Sequence, residues 1–258
     1  MKVPLKDSSP HMIAQIEANF GHKHHHVGAD PPLCHPYTHF LNDRDLRAME
    51  DEVEAARPSH GKPPDKHKCP PISTEDVMEP TRLPTSVLDN CEKTFEAADS
   101  RHQKASTQFF ADTGSMAILC CHDQVLFVAN MKSAGEKQFY ALALIKALLE
   151  HLPHCVLVGI LYNIGCQTHR SIIKWGFLQE FQECLVFGIS VFHAYGHEWP
   201  CQLIYNPRKW EGFGLTNGEG CECLWSVLKD LIPNLHISGV SRIALYLNYS
   251  IKVLTGKF

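Results

Sequence analysis

The chain has 258 residues, with 24 Lys+Arg against 28 Asp+Glu, a formal charge of -4, 44% hydrophobic and 20% charged residues. That balance excludes wholesale disorder and a strongly basic nucleic-acid binder, and the length builds a core without obligatory disulfides or metal. No apolar run reaches the roughly 18 residues of a membrane span, and the opening MKVPLKDSSPHM carries no apolar signal region. A nuclear or cytoplasmic protein is therefore expected, neither secreted nor membrane-bound. The unusual feature is thiol plus imidazole, 11 Cys and 17 His. An odd cysteine count without a signal peptide points to a reducing compartment, where cysteines stay thiols or bind metal.

In chain order, residues 11–20 (HMIAQIEANF) read as a strand, followed by the Gly/Pro-punctuated loop GHKHHHVGADPP. Leu46, Met49, Val53 and Ala56 then recur at helical spacing, with Asn42 or Asp43 as cap and Pro58 as the stop. Residues 57–84 hold seven prolines in 28 positions and no apolar period, the mark of a linker or disordered insert. From Thr85, Val87, Cys91, Phe95 and Ala98 give one apolar helical face. Two apolar runs, 116–121 and 125–131, are separated by HDQ and predict a hairpin. Residues 136–152 are apolar nearly all round and predict a buried helix, and CVLVGILY at 155–162 predicts a strand covered on both faces. Helices are expected over 167–177 and 219–231, the latter with Leu224, Leu228 and Leu231 on one side. A strand, a hairpin, a helix and a buried strand in this order is the ribonuclease H-like arrangement, with a long insert after the first strand. The division expected is residues 1–20 as first strand, 21–84 as insert, and 85–258 as the rest of the core.

Ribonuclease H-like enzymes that cut DNA hold two divalent cations with carboxylates on the first strand, at the end of the strand after the first helix, and on a later helix. Mg²⁺ needs hard anionic oxygens, and two ions sharing ligands clamp both oxygens of the displacement. The positions to inspect are Glu17, Asn163 and Glu219, of which only two are anionic. The plainer account is a strand-surface Glu17 and a Glu219 favoured by its helix N-terminus. A second group is His193, His197 and Cys201 in HAYGHEWPC, at four-residue intervals that share one face of a helix and offer zinc-competent donors. Cys166 or Cys184 could supply a fourth ligand, and Pro200 interrupts a regular helix before Cys201. Ordinary core packing is the alternative. Cys120 with His122, the histidines at 22–26, and the short basic pairs Arg101/Lys104 and Arg208/Lys209 are weaker signals. The glycines of GFGLTNGEG do not follow a phosphate-loop pattern.

The runs STQFFADTGSMAILCCHDQVLFVANMKSAGEKQFYALALI, VGILYNIGCQ and SVFHAYGHEWPCQLIYNPRKWEGFGLTNGEGCECLWS, with LPTSVLDNCEKTFEAAD and QIEANF upstream, resemble the Kyakuja–Dileera–Zisupton (KDZ) transposases of fungi. The resemblance implies a ribonuclease H-like domain that cleaves and joins DNA with Mg²⁺ or Mn²⁺, in an enzyme that acts as an oligomer. Its first acid, the aspartate of a D-x-N-F strand, falls on Glu17. Its second, the aspartate of Y-D-I-x-C-Q, falls on Asn163. Its third, in D-G-E-G-C-E-R, falls on Glu219, with Glu222 also kept. Asn217, Cys223 and Cys121 stand where the family pattern has Asp, Arg and Arg. A longer carboxylate at 17 and a neutral amide at 163 weaken any Mg²⁺ site. The expectation is a catalytically degraded transposase fragment lacking flanking parts, with DNA binding weak or lost. The His193/His197/Cys201 group with Cys166 would hold a structural Zn²⁺. A zinc-stabilised DNA- or protein-binding module without catalysis is the alternative, and a nuclease working with relaxed ligands a further one.

Overall fold

The computed structural model describes residues 9–25, 38–57, 77–79, 81–102 and 110–233, with side chains undescribed at 24–25, 94–102 and 231. Most of the Pro-rich segment at 58–76, Lys104 and the apolar stretch 243–254 lie outside the described residues. The elements run β1 (Met12–Asn19), β2 (His24–His25), α1 (Asp43–Ala56), β3 (Val77–Met78), β4 (Leu83–Pro84), α2 (Thr85–His102), β5 (Phe110–Asp112), β6 (Gly114–Cys120), β7 (Val125–Met131), α3 (Gln138–Glu150), β8 (Val158–Tyr162), α4 (Gly165–Trp175), β9 (Leu185–Gly188), α5 (Trp199–Ile204) and α6 (Gly220–Leu228). Five strands form one mixed sheet in the order β7-β6-β1-β8-β9. β6 runs antiparallel to both of its neighbours, whereas β8 pairs parallel with β1 and with β9.

The alternation in β1 sorts its side chains. Ala14 and Ile16 enter the main core, and Ile13 joins a smaller cluster on the opposite face with Leu161, Val186 and Phe213. On the main-core side α3 is buried nearly all round, from Phe139 to Leu149, as its unbroken apolar sequence demands. Each Leu or Ile fully buried there contributes about 1.5–3 kcal/mol. The helix of the insert does not stand apart. Asn42 caps α1 by accepting from Asp45 N at 2.9 Å, and Leu46, Met49 and Val53 enter the same core as α3. Lys132 on Asp43 (2.5 Å) and Lys137 on Glu50 (3.5 Å) tie its outer side to the segment before α3.

On the other face α6 lays Leu224, Trp225 and Leu228 against Ala117, Leu119, Val125 and Val128. Its N-terminus comes so close to β1 that a Cβ on Gly220 would sit 2.2 Å from Gln15 Nε2. Gly220 N instead donates to Gln15 Oε1 at 2.8 Å. The buried Gln15 also donates to the Cys120 carbonyl and to Asp123, each at 3.2 Å, so one strand side chain fixes both the hairpin turn and the helix start.

Several sequence expectations shift by a few residues: β6 begins at Gly114, β8 begins at Val158, α3 spans 138–150 and α4 spans 165–175, while the helix expected to run to Leu231 is α6 to Leu228 followed by a 3₁₀ turn over Lys229–Leu231. Among the α2 side chains described, Leu88 and Cys91 face inward and Val87 is half-buried, while the expected Phe95 and Ala98 fall among the undescribed side chains. β9 was not anticipated, because four buried residues (LVFG) show neither alternation nor length. No helix among the described residues is long and apolar enough to cross a membrane.

Candidate metal centre and acidic cluster

The strand register fixes where chemistry can occur. β1 and β8 are parallel with Ile16 opposite Tyr162, so Glu17 and Asn163 lie at the carboxyl ends of neighbouring strands. In open α/β sheets that edge is where ligands bind. β9 ends beside them, and the chain then turns through His193–Gly196 and α5 back over the same edge.

Two groups of donors assemble there. The first is Cys91 from α2, Cys166 from the first turn of α4, His197 after the turn, and Cys201 in α5, with all four donor atoms within 4.8 Å of one another. All four residues are buried. The Sγ atoms of Cys91 and Cys201 are 3.7 Å apart, and Cys166 Sγ lies 3.4 Å from His197 Nδ1. A tetrahedral zinc ion, with bonds of about 2.3 Å to sulfur and about 2.0 Å to nitrogen, sets edges of about 3.8 Å and about 3.5 Å. The thiols are far too distant for a disulfide, and they are free.

The surroundings orient these donors. His197 Nε2 donates to the Asn163 carbonyl at 2.8 Å, which leaves the Nδ1 lone pair turned towards the thiols, as metal-bound histidines are commonly arranged. Gln167 Nε2 donates to the Leu88 carbonyl at 2.7 Å, and Arg170 reaches Asp89 at 2.5 Å and Glu92 at 3.4 Å. These contacts bind α2 to α4 and so hold Cys91 opposite Cys166. Charge is divided unevenly among the thiols. Hydrogen bonds from Cys166 and then Cys201 pull Cys91 far below the ordinary thiol range. Burial, with its two thiol neighbours, pushes Cys166 well above that range. Cys201 is helped down by the Cys166 contact, yet the Cys91 hydrogen bond, burial and nearby negative charge leave it at about 12. A divalent ion would favour ionisation of all three, and the residues present fit a metal such as zinc.

His193 does not join this cage. The helix that would align it with His197 and Cys201 is absent: residues 193–196 make a single 3₁₀ turn, His197 is extended (φ -95°, ψ 161°), and α5 starts only at Trp199 with Pro200 in its first turn. Cys91 takes the fourth place instead, and Cys184 stays outside, its thiol on the His154 carbonyl at 3.1 Å. The sequence signal for Cys91 was its inward position on a helix within one of the quoted family runs.

The second group is Glu17, His193 and Glu222, again with donor atoms within 4.8 Å of one another. His193 Nε2 lies 3.5 Å from Glu17 Oε1 and 3.6 Å from Glu222 Oε1. Burial raises the Glu17 carboxyl above its usual range, His193 opposes this, and the negative charge of Glu222 adds to it. The Glu17 carboxylate raises the His193 imidazole, outweighing the burial that lowers it, and Glu219 and Glu222 add to the rise. Glu219 stands outside this trio and its Oε1 accepts from Phe192 N at 3.1 Å. Asn163 Oδ1 accepts from Ile164 N at 2.8 Å, a bond within its own turn. Glu17, Asn163 and Glu219 thus share one sheet edge without forming a three-carboxylate cradle, and they do not fit a pair of Mg²⁺ ions. Glu222, one helical turn beyond Glu219, occupies the nearer place.

The family model for Kyakuja-Dileera-Zisupton (KDZ) transposase matches residues 10–252, a span that contains every residue of both groups. The chain belongs to the KDZ transposase family. No curated protein and no solved structure matches it. For a KDZ chain the two groups acquire a clear relation. The FHAYGHEWPC segment is divided between them, His193 going to the acids and His197 with Cys201 going to the thiols.

Proposed function

We propose that this KDZ chain is a ribonuclease H-like transposase domain that has lost two-metal DNA cleavage and keeps a zinc-organised scaffold. The sheet order, with a single antiparallel strand in second place, and the first acid position on the central strand support that fold. The observation that carries the loss of catalysis is Asn163. Its side chain is neutral, and its oxygen is engaged by the adjacent Ile164 amide, where the two-ion reaction needs an anionic oxygen. The test is nicking of supercoiled plasmid in Mg²⁺ or Mn²⁺. The native protein stays at background, and the double variant Glu17→Asp, Asn163→Asp rises above it. Nicking by the native protein that is abolished in Glu17→Ala overturns the reading.

A second reading, a binding module that still contacts DNA, is favoured by one observation. Phe192, Tyr195 and Trp199 are 73%, 78% and 65% exposed on the turn anchored by His197 and Cys201. Unpaired bases stack on such rings for about 1–3 kcal/mol each. Gel shifts with single-stranded DNA at two salt concentrations test it. Binding that weakens with salt and falls further in the Tyr195→Ala, Trp199→Ala variant supports the module, and no shift in either salt removes it.

A further inference from the structure

We infer that Glu17, His193 and Glu222 form a second metal site, one that takes a single first-row transition ion of the zinc or cobalt class and discriminates against Mg²⁺. The inference rests on the reading that the two-Mg²⁺ centre is lost.

Three separate segments converge to make the trio: the end of β1, the turn after β9, and the first turn of α6. Nothing in the thiol cage requires His193, and its Nε2 is shielded from solvent without a hydrogen-bond partner. The separations of 3.5 Å and 3.6 Å to the two carboxylates are long for hydrogen bonds between charged partners, which favour about 2.7–2.9 Å. They are the separations of ligands around a common centre. Nitrogen and oxygen donors about 2.1 Å from a four-coordinate zinc ion stand about 3.4 Å apart. Octahedral Mg²⁺, with bonds of about 2.0–2.1 Å, draws neighbouring oxygens to about 2.9 Å and prefers oxygen throughout. Imidazole nitrogen with two carboxylates suits zinc and its neighbours in the transition series.

The position of the trio explains why it escapes the family pattern. Asn163 turns its oxygen into its own backbone, and Glu219 is held by Phe192 N. Of the three positions that the resemblance marks as acids, only Glu17 joins the trio, and His193 and Glu222 provide the remaining donors. Two carboxylates and a neutral imidazole leave such a divalent ion neutral, and water completes four-coordination.

The test is a Co²⁺ titration of the reduced 258-residue chain whose thiol cage has first been filled with one equivalent of Zn²⁺, followed by visible absorption. The expected result is one further Co²⁺ site with the strong bands of four-coordinate cobalt and no sulfur charge-transfer band. A hundredfold excess of Mg²⁺ leaves it in place. His193→Ala abolishes the bands, and Glu222→Gln, at a half-exposed position that the fold does not depend on, weakens Co²⁺ binding at least tenfold. The inference is overturned by identical Co²⁺ spectra and affinity in native protein and Glu222→Gln, or by displacement with equimolar Mg²⁺. No DNA enters this titration, so its failure and a failure of the proposed function are read separately.

Discussion

Removing metal from the cysteine–histidine cage is the perturbation with the most definite consequence. All four donor atoms lie within 4.8 Å of one another, with 3.7 Å between two of the sulfurs and 3.4 Å from sulfur to imidazole, so an ion entering them requires little rearrangement. An ion that binds only the folded chain stabilises it by about 2.7 kcal/mol when free metal stands about a hundredfold above the dissociation constant. In a chain of this size each kcal/mol moves the melting temperature by about 2–4 °C. Chelation of zinc-loaded, reduced protein is therefore expected to lower Tm by about 5–11 °C, measured by circular dichroism at fixed protein concentration. Cys91→Ser replaces a soft donor with a hydroxyl that does not ionise near neutral pH, and its zinc-dependent increment falls below about 2 °C. Packing alone would make Cys91→Ser less stable by the same amount with and without zinc. A native protein that purifies without metal by elemental analysis, and whose Tm is unmoved by zinc or chelator, refutes the reasoning.

Two further outcomes follow from the packing. Gly220→Ala places a methyl 2.1 Å from Asp123 Oδ1 and 2.2 Å from Gln15 Nε2. Helix propensity returns about 1 kcal/mol, against about 1–3 kcal/mol for overpacking and about 1–3 kcal/mol for an orphaned Gln15 amide. The net is a loss of roughly 1–5 kcal/mol, and a Tm equal to that of the native chain would mean that α6 can slide off β1 at no cost. His169, stacked on Phe187 and 3.0 Å from the Tyr205 hydroxyl, is held down to about 4 by burial. Its folded value lies below the unfolded one, so the unfolded chain takes up the proton first. Stability is complete above about pH 6.5 and falls as the pH drops towards 4, by up to about 3 kcal/mol. Denaturant midpoints across that range should slope less steeply in His169→Gln, and an unchanged slope rejects the assignment.

The long apolar periods were readable without coordinates. α1 with its Asn42 cap, the hairpin of β6 and β7, the buried α3 and the continuous strand β8 all carry patterns that local chemistry fixes. What escaped was set by distant partners. β9 is four residues long and is a strand only because β8 offers it an edge. His193, His197 and Cys201 look equivalent at four-residue intervals, but Pro200 and the extended His197 break the helix that equivalence assumes. Cys91 lies 75 residues from Cys166, and no local spacing relates them. Their meeting depends on α2 packing against α4, where Leu88 and Ile172 share the main core and Arg170 and Gln167 add polar ties that no local spacing announces.

Asn163 performs its scaffold duty with the wrong half of the residue for selection to notice. The atom that fixes the His197 tautomer is its main-chain carbonyl, which every amino acid possesses, whereas the reaction depends on its side chain. An acid or an amide at this position therefore offers the cage the same main-chain contact. The thiol cage is built to be indifferent to which of the two side chains stands there, so its geometry and the chemistry of the sheet edge can vary independently.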